Sequence, residues 1–253
     1  MGVDVGGSGV KAARVDLTTG EPAGRERLPT PQPATPEAVA RTVVEVLALF
    51  RGDAAVDGDS PIGCTLPAVV AHGVVRTASN IDPAWIGTDA RALLATATTR
   101  AVVVLNDADA AGVAEVQFGA ARGVVGVVAM VTLGTGVGTA LFNDGVLVPN
   151  MELGHIEVKG HVADRWASAA TRDTESLSWK DWAKRVDTYL TALHAVIRAD
   201  LIVLGGGVVK HSEKFLDRLD PGCEVRIAQL GNNAGIVGAA LVAADSTRVP
   251  SEV

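Results

Sequence analysis

The chain has 253 residues, 48% of them hydrophobic, which is enough to bury either one large core or two smaller ones. A net charge of −7 without a long basic run argues against a nucleic-acid partner. Cys64 and Cys223 stand too far apart in sequence to indicate a disulfide framework or a Cys-rich zinc site.

The chain opens with GVDVGGSGVKAARVDL, Gly2 to Leu17, in which Asp4 is followed by Gly6, Gly7, Ser8 and Gly9 and then by a renewed apolar/polar alternation. This pattern predicts strand, tight turn, strand. Exposed amides in such a turn form a concave anion site, and the acid beside it could hold a metal that neutralises phosphate. A plain glycine-rich hairpin is the alternative reading. The chain enters this strand at once, whereas a signal peptide needs a basic start and an unbroken apolar run, so a cytoplasmic location is expected.

After a turn at Thr18-Thr19-Gly20 comes TPQPATPEAVARTVVEVLALF. Its prolines keep the first part extended, Thr35 suits an N-cap, and Pro36 suits the first helical position. Val39, Val43, Val46, Leu47 and Phe50 then share a helical face. Arg51 to Ser60 reads as a surface loop. Ile62 to Cys64 reads as a strand ending at a Thr-Leu-Pro turn, and Val69, Val70, Val74 and Val75 frame a turn at His72-Gly73. Asn80, Asp82, Pro83 and Trp85 form a polar loop before a helix at Asp89 to Ala97.

In AVVVLNDADAAGVAEVQFG, Val102 to Leu105 predict a short buried strand that stops at Asn106-Asp107, with a helix from Ala108 through Glu115. Open α/β sheets put their ligands at such strand ends. Asp107 or Asp109 could serve only as a helix N-cap; equally, Asn106 and Asp107 could meet the vicinal hydroxyls of a sugar. The residues alone leave both readings open.

At Val131 the opening pattern returns as VTLGTGVGTALFNDGVLV, aligning Asp4 with Thr132, Gly6 with Gly134 and Ala12 with Ala140. Both copies run into strand pattern after their glycines, where a dinucleotide fold needs a helix, and no Walker motif occurs. The uncharged run Gly123 to Asn143 has the length of a membrane span, but its alternating Gly and Thr fit two buried strands better, so no membrane association is expected. Glu152, His155 and Glu157 follow, suited to hydrogen bonding more than to zinc. The next stretch is mostly helical, with Leu190, Leu193, Val196 and Ile197 on one face. It holds Lys159, Arg165, Arg172, Lys180, Lys184 and Arg185, which form either a solvated helix surface or contacts along a polyanion. Leu201 to Leu204 form another buried strand, opening into Gly205-Gly206-Gly207, where a flat ring or a phosphate chain can pass the backbone closely. NNAGIVGAALVAA predicts a close-packing helix against the first lobe.

DVGGSGVK, TPQPATPEAVA, HGVVRTASNID, WIGTDAR, VLNDADAAG, LGTGVGTA, PNMELGHIEV and NNAGIVGAA together resemble the ROK sugar kinases over essentially the whole length. Within that family they resemble the actinobacterial polyphosphate glucokinase subgroup. The resemblance implies an α/β, actin-like and ribonuclease H-like two-lobe sugar kinase fold with a cleft between the lobes, the small lobe being 1–107 plus 232–245 and the large one 108–231. It implies a glucokinase transferring phosphate from inorganic polyphosphate or ATP to the glucose 6-hydroxyl, with Mg²⁺ and as a homodimer.

Carried over residue by residue, Asp107 is similar to the catalytic base. Asn80, Asn106, Glu152 and His155 are similar to the hydroxyl ligands. The phosphate loops are Gly6 to Gly9 with Lys11, and Gly134, Thr135, Gly136 and Gly138, with Gly205 to Gly207 as a further phosphate or nucleotide contact and Asp4 near Mg²⁺. Three departures stand out. Pro67-Ala68 replaces the family's usual Pro-Gly, the three-Cys zinc cluster is missing as in the polyphosphate-using subgroup, so no structural zinc is expected, and a second sugar-binding Glu is at best Asp164. An ATP-dependent hexose kinase of the same family and a catalytically silent sugar-binding homologue are the alternatives. A sugar-responsive repressor would need a DNA-binding module ahead of the first strand.

Overall fold

The computed structural model describes residues 1–50, 60–79 and 81–246. It divides into two units, Met1–Ala114 with Asn233–Val253, and Glu115–Asn232. The loop expected at Arg51 to Ser60 lies, apart from Ser60, outside the described residues, as does Asn80.

In chain order, the first unit contains strands β1 (Gly2–Gly6), β2 (Gly9–Val15) and β3 (Pro22–Leu28), helix α1 (Pro36–Ala48) and strand β4 (Ile62–Leu66). There follow the short ribbon β5 (Val70–Ala71) and β6 (Val74–Val75), helix α2 (Ala90–Thr98), strand β7 (Val102–Asn106) and helix α3 (Asp107–Phe118), which runs on into the second unit. The second unit continues with β8 (Val127–Leu133), β9 (Val137–Asn143) and β10 (Val146–Val148), then the ribbon β11 (Glu157–Val158) and β12 (His161–Val162). Helices α4 (Ala163–Trp166), α5 (Ala169–Thr174) and α6 (Trp179–Ile197) follow, then β13 (Leu201–Gly205) and β14 (Glu224–Ile227). Helix α7 (Ala234–Ser246) returns to the first unit.

The two main sheets repeat one topology. The first has the order β3-β2-β1-β4-β7 and the second β10-β9-β8-β13-β14. In each, an antiparallel meander of three strands is extended by two parallel strands on the other side. The turns use the chemistry expected of them. Positive φ at His72 and Gly73, and at Asp144 and Gly145, gives tight two-residue hairpins whose twist matches the strands. The uncharged run at Gly123 to Asn143 supplies β8 and β9, and no helix among the described residues is long and apolar enough to cross a membrane.

Strand alternation sorts the first sheet into two faces. Val3, Val5, Ile62, Cys64, Leu66, Val102 and Val104 pack into a core with Val39, Val43 and Val46 of α1, Leu94 of α2 and Trp85. The opposite face carries Gly63, where an added Cβ would stand 1.8 Å from the Ala239 carbonyl oxygen of α7, so that helix lies almost directly on the sheet. Gly238 meets the Ala110 carbonyl of α3 equally closely. That packing keeps the first turns of α3 with the first unit, and the division falls after Ala114, where the sequence reading puts it at Asp107.

In the second unit Ala129, Val131, Leu133, Ile202 and Leu204 pack beneath Trp182, Val186, Tyr189, Leu190 and Leu193 of α6. Ser178 caps this helix by accepting from the Asp181 amide. Val196, at helical spacing with Leu190 and Leu193, is 71% exposed in the last turn of the helix, which ends at Ile197.

Candidate active site

Asp4 stands directly opposite Lys11 in the β1/β2 ladder, and its Oδ2 accepts from Lys11 Nζ at 2.9 Å. Its Oδ1 accepts from Thr65 Oγ1 on β4, also at 2.9 Å. The acid is therefore held by one cation and one hydroxyl. Gly7 and Ser8 form the exposed turn beyond it. Arg27 Nη2 donates to the Ser8 carbonyl at 2.8 Å, and Thr30 Oγ1 donates to the Gly6 carbonyl. A cavity of about 290 Å³ opens beside this hairpin, bounded by Gly6, Gly7, Gln32, Pro33, Pro67 and Asp82. It brings the proline-held TPQPATP stretch to the first glycine turn.

At the end of β7, Asn106 is the cap of α3. Its Oδ1 accepts from the amides of Ala108 at 2.8 Å and Asp109 at 3.1 Å, and its Nδ2 donates to the Ala68 carbonyl at 3.1 Å. Asp107 Oδ1 also accepts from the Ala108 amide, at 2.9 Å, so Asn106 and Asp107 share the first turn's amides. Asp107, the first residue of the helix, is exposed. Ala68 is buried without a positive φ, so the change from the family's usual glycine is accommodated without backbone strain at that residue.

In the second unit the glycine turn spans Gly134, Thr135 and Gly136, one residue longer than the first. That ladder stops one position earlier on its first strand, so between matched pairs the second connection is one residue shorter, residues 132–138 against 4–11, and the correspondence of the copies shifts. Val3 faces Ala12, and its counterpart Val131 faces Thr139, so Ala12 matches Thr139 in place of Ala140. Gly138 lies within β9 opposite Thr132, away from the turn. Asp164 Oδ1 accepts from the Val137 amide at 2.7 Å and lies where a Cβ at Gly136 would be, so this acid braces the turn. Gly206, with φ +89°, passes 2.3 Å from the Leu133 carbonyl oxygen, measured from the Cβ it lacks, which sets the Gly205 to Gly207 bend against the base of the same hairpin.

The Glu152 to His155 loop is tied down from beneath. Thr139 Oγ1 donates to the Met151 carbonyl and accepts from the Leu153 amide at 2.9 Å, and Gly154 fits against the Val137 carbonyl only because it has no side chain. His155 Nδ1 and Glu152 Oε2 lie 3.1 Å apart, both substantially exposed, so the two side chains meet across the Leu153-Gly154 turn.

The ROK family profile matches residues 1–167. The chain belongs to the ROK family. It is 46% identical over 252 residues to a polyphosphate glucokinase of Mycobacterium tuberculosis, covering 98% of this chain and 92% of that protein. The solved inorganic polyphosphate/ATP-glucomannokinase of Arthrobacter sp. strain KM is 44% identical, covers 97% of this chain and 98% of its own, and superposes with a TM-score of 0.92. A ROK glucokinase from Streptomyces griseus, 24% identical with a TM-score of 0.81 over 96% of this chain and 98% of its own, shares the fold.

In this ROK protein the cationic stretch is only partly a solvated surface. Lys184 pairs with Asp181 in the open, but the Arg172 guanidinium lies 3.7 Å from the Trp179 ring centroid, and Arg185 donates to Glu175 Oε2 at 2.6 Å. That bond is the chief reason the Glu175 carboxyl stays below its usual range. A cavity of about 420 Å³ joins Gly134, Thr135 and Gly207 to Arg172, Trp179 and Lys210. Among the described residues no group of three His, Cys, Asp or Glu side chains could hold a metal.

Proposed function

We propose that the chain is a polyphosphate glucokinase, transferring the terminal phosphoryl group of inorganic polyphosphate, or of ATP, to the 6-hydroxyl of glucose. The observation that carries this reading is the setting of Asp107, an exposed carboxylate at the carboxyl end of a buried strand, with Asn106 capping its helix and gripping the Ala68 carbonyl. The 46% identity to a polyphosphate glucokinase over 98% of the chain supports the substrate assignment.

In this mechanism Asp107 orients the glucose 6-hydroxyl and accepts its proton as the O6–phosphorus bond forms. The bridging P–O bond of the donor breaks, and its electron pair leaves with the shortened chain or ADP. The transition state is loose, so alignment and charge neutralisation carry most of the catalysis. Glu152 and His155, with Asn80, are assigned to sugar hydroxyls, and the Asn106 amide keeps one donor beyond its bond to Ala68 for the same use. The amides of Gly7, Ser8 and Thr135 are assigned to the phosphates. Asp4 fits a Mg²⁺ ion, because a carboxylate keeps lone pairs beyond its bonds to Lys11 and Thr65, and Mg²⁺ takes few protein ligands besides water and phosphate oxygens. The ion would supply neutralisation of phosphate charge. A cytoplasmic homodimer is part of the same reading, on the strength of the family resemblance.

The test is a glucose-6-phosphate assay comparing long-chain polyphosphate with ATP at equal Mg²⁺. Asp107→Asn should retain the folded circular dichroism spectrum and lose about 10²- to 10⁴-fold in kcat. A variant turning over near the wild-type rate would remove Asp107 from the mechanism.

A further inference from the structure

The pocket beside the second glycine turn has a composition that suits one donor chemistry better than the other. A nucleotide donor needs a flat, apolar slot for its base, whereas a phosphate chain needs positive charge. The large aromatic surface in the lining is Trp179, and one face of its indole is already covered by the Arg172 guanidinium, 3.7 Å from the ring centroid. A base stacking there would have to displace a well-placed cation–π partner. Arg172 and Lys210 line the pocket as cations, with His211 also in the lining, and Lys214 Nζ lies 5.3 Å from the same ring. Asp173, an acid in the lining, is bonded to Arg172 Nη1 at 2.7 Å and points largely to solvent.

Arg172 Nε is buried and has no hydrogen-bond partner among the described residues. A buried, charged donor is rarely left without an acceptor unless a ligand meets it. The phosphate loop residues Gly134 and Thr135 form the opposite part of the same lining, so the guanidinium and the turn address one cavity.

We propose that Arg172, laid on Trp179, makes this pocket select an inorganic phosphate chain over a nucleotide as donor. Resting on the kinase reading above, this assigns Arg172 as the donor-specificity residue. The guanidinium supplies planar, charge-assisted bonding to non-bridging phosphate oxygens and denies the indole face to a base.

The experiment measures kcat/KM for long-chain polyphosphate and for ATP, at equal Mg²⁺, in the wild-type protein, Arg172→Ala and Arg172→Gln. The Gln variant keeps a planar group over the indole and removes the charge, and it carries the test should the Ala variant not fold. Both variants should lose about tenfold or more on polyphosphate, mainly in KM, with the glucose KM unmoved. Arg172→Ala, which also bares the indole, should move the polyphosphate/ATP ratio further toward ATP than Arg172→Gln. Equal losses on both donors, or an unchanged polyphosphate KM, would overturn the proposal while leaving the kinase reading intact. A wild-type protein that used ATP alone would overturn the polyphosphate reading and this inference together.

Discussion

The two glycine hairpins share a strand pattern and differ in what holds their turns. The first is braced by long or hydroxylic side chains, with Lys11 on Asp4, Arg27 on the Ser8 carbonyl and Thr30 on the Gly6 carbonyl. The second is braced by short, rigid parts. The Gly134 amide bonds the Gly136 carbonyl at 2.9 Å, the Gly134 carbonyl accepts from the Ala170 amide at 3.0 Å, and Asp164 holds the Val137 amide. The first turn therefore carries its cations on its own sheet, on β2 and β3. The second takes an acid as its brace, and the cations of its cavity come from elements far along the chain, at Arg172 and Lys210. Duplicated strands can thus present one backbone shape in two electrostatic settings.

The sharpest break of this comparison is at glycine. Gly206→Ala would put a side chain at φ +89° and 2.3 Å from the Leu133 carbonyl oxygen, where neither backbone can give way. Strain and overpacking together should cost about 3–5 kcal/mol in urea unfolding. Gly7→Ala, in the first turn, meets nothing within 4 Å and should stay within about 0.5 kcal/mol of wild type. Equal losses for the two would mean that the bend packed against the base of the second hairpin is no tighter than the open first turn.

Much of this was legible from the chain. Hydrophobic alternation and glycine placement predict both hairpins, the strand Val102 to Leu105 and the helix cap at Thr35, because those signals are local. The one-residue shift in pairing register was not legible, since both copies align without a gap until the pairing is seen. The part of Asn106 in capping the helix was not legible because the aspartates beside it have the same chemistry: Asp107 Oδ1 reaches the Ala108 amide too, while Asn106 Oδ1 reaches those of both Ala108 and Asp109. Glu115 reads as an ordinary helix residue. It is in fact buried, accepting from the amides of Ala120 and Leu230 at 2.8 Å each, and its partner at 230 lies too far along the chain to be foreseen.

Asp164 gives the next largest effect and separates two roles. Removing it in Asp164→Ala leaves the Val137 amide without its acceptor, which should cost about 1–3 kcal/mol. As a brace of the second turn, its loss should raise the donor KM and leave the glucose KM nearly unchanged. A rise confined to the glucose KM would restore it to the sugar contact that the family pattern implies and would remove the rigid brace from the comparison.

The smallest effect tests the neighbours of the two hairpins. Cys64 on β4 faces Val3 in the first sheet, and Leu204 on β13 faces Val131 at the matching place in the second. Burial, and next the nearby Asp4 charge, push the Cys64 thiol up to about 12. Burial also raises the half-buried Cys223. Because folding raises the Cys64 value, its contribution to stability is complete below the ordinary thiol range near 9 and is lost as pH climbs from there toward about 12. The first sheet should therefore show an alkaline weakness that Leu204 spares the second. Cys64→Ala should remove that alkaline slope even though the smaller side chain lowers stability at neutral pH. In the native protein at pH 8 a disulfide exchange reagent should titrate Cys223 and reach Cys64 only after urea is added. Two thiols reacting rapidly without denaturant would mean that β4 opens locally and that the floor beneath the first hairpin is looser than the one beneath the second.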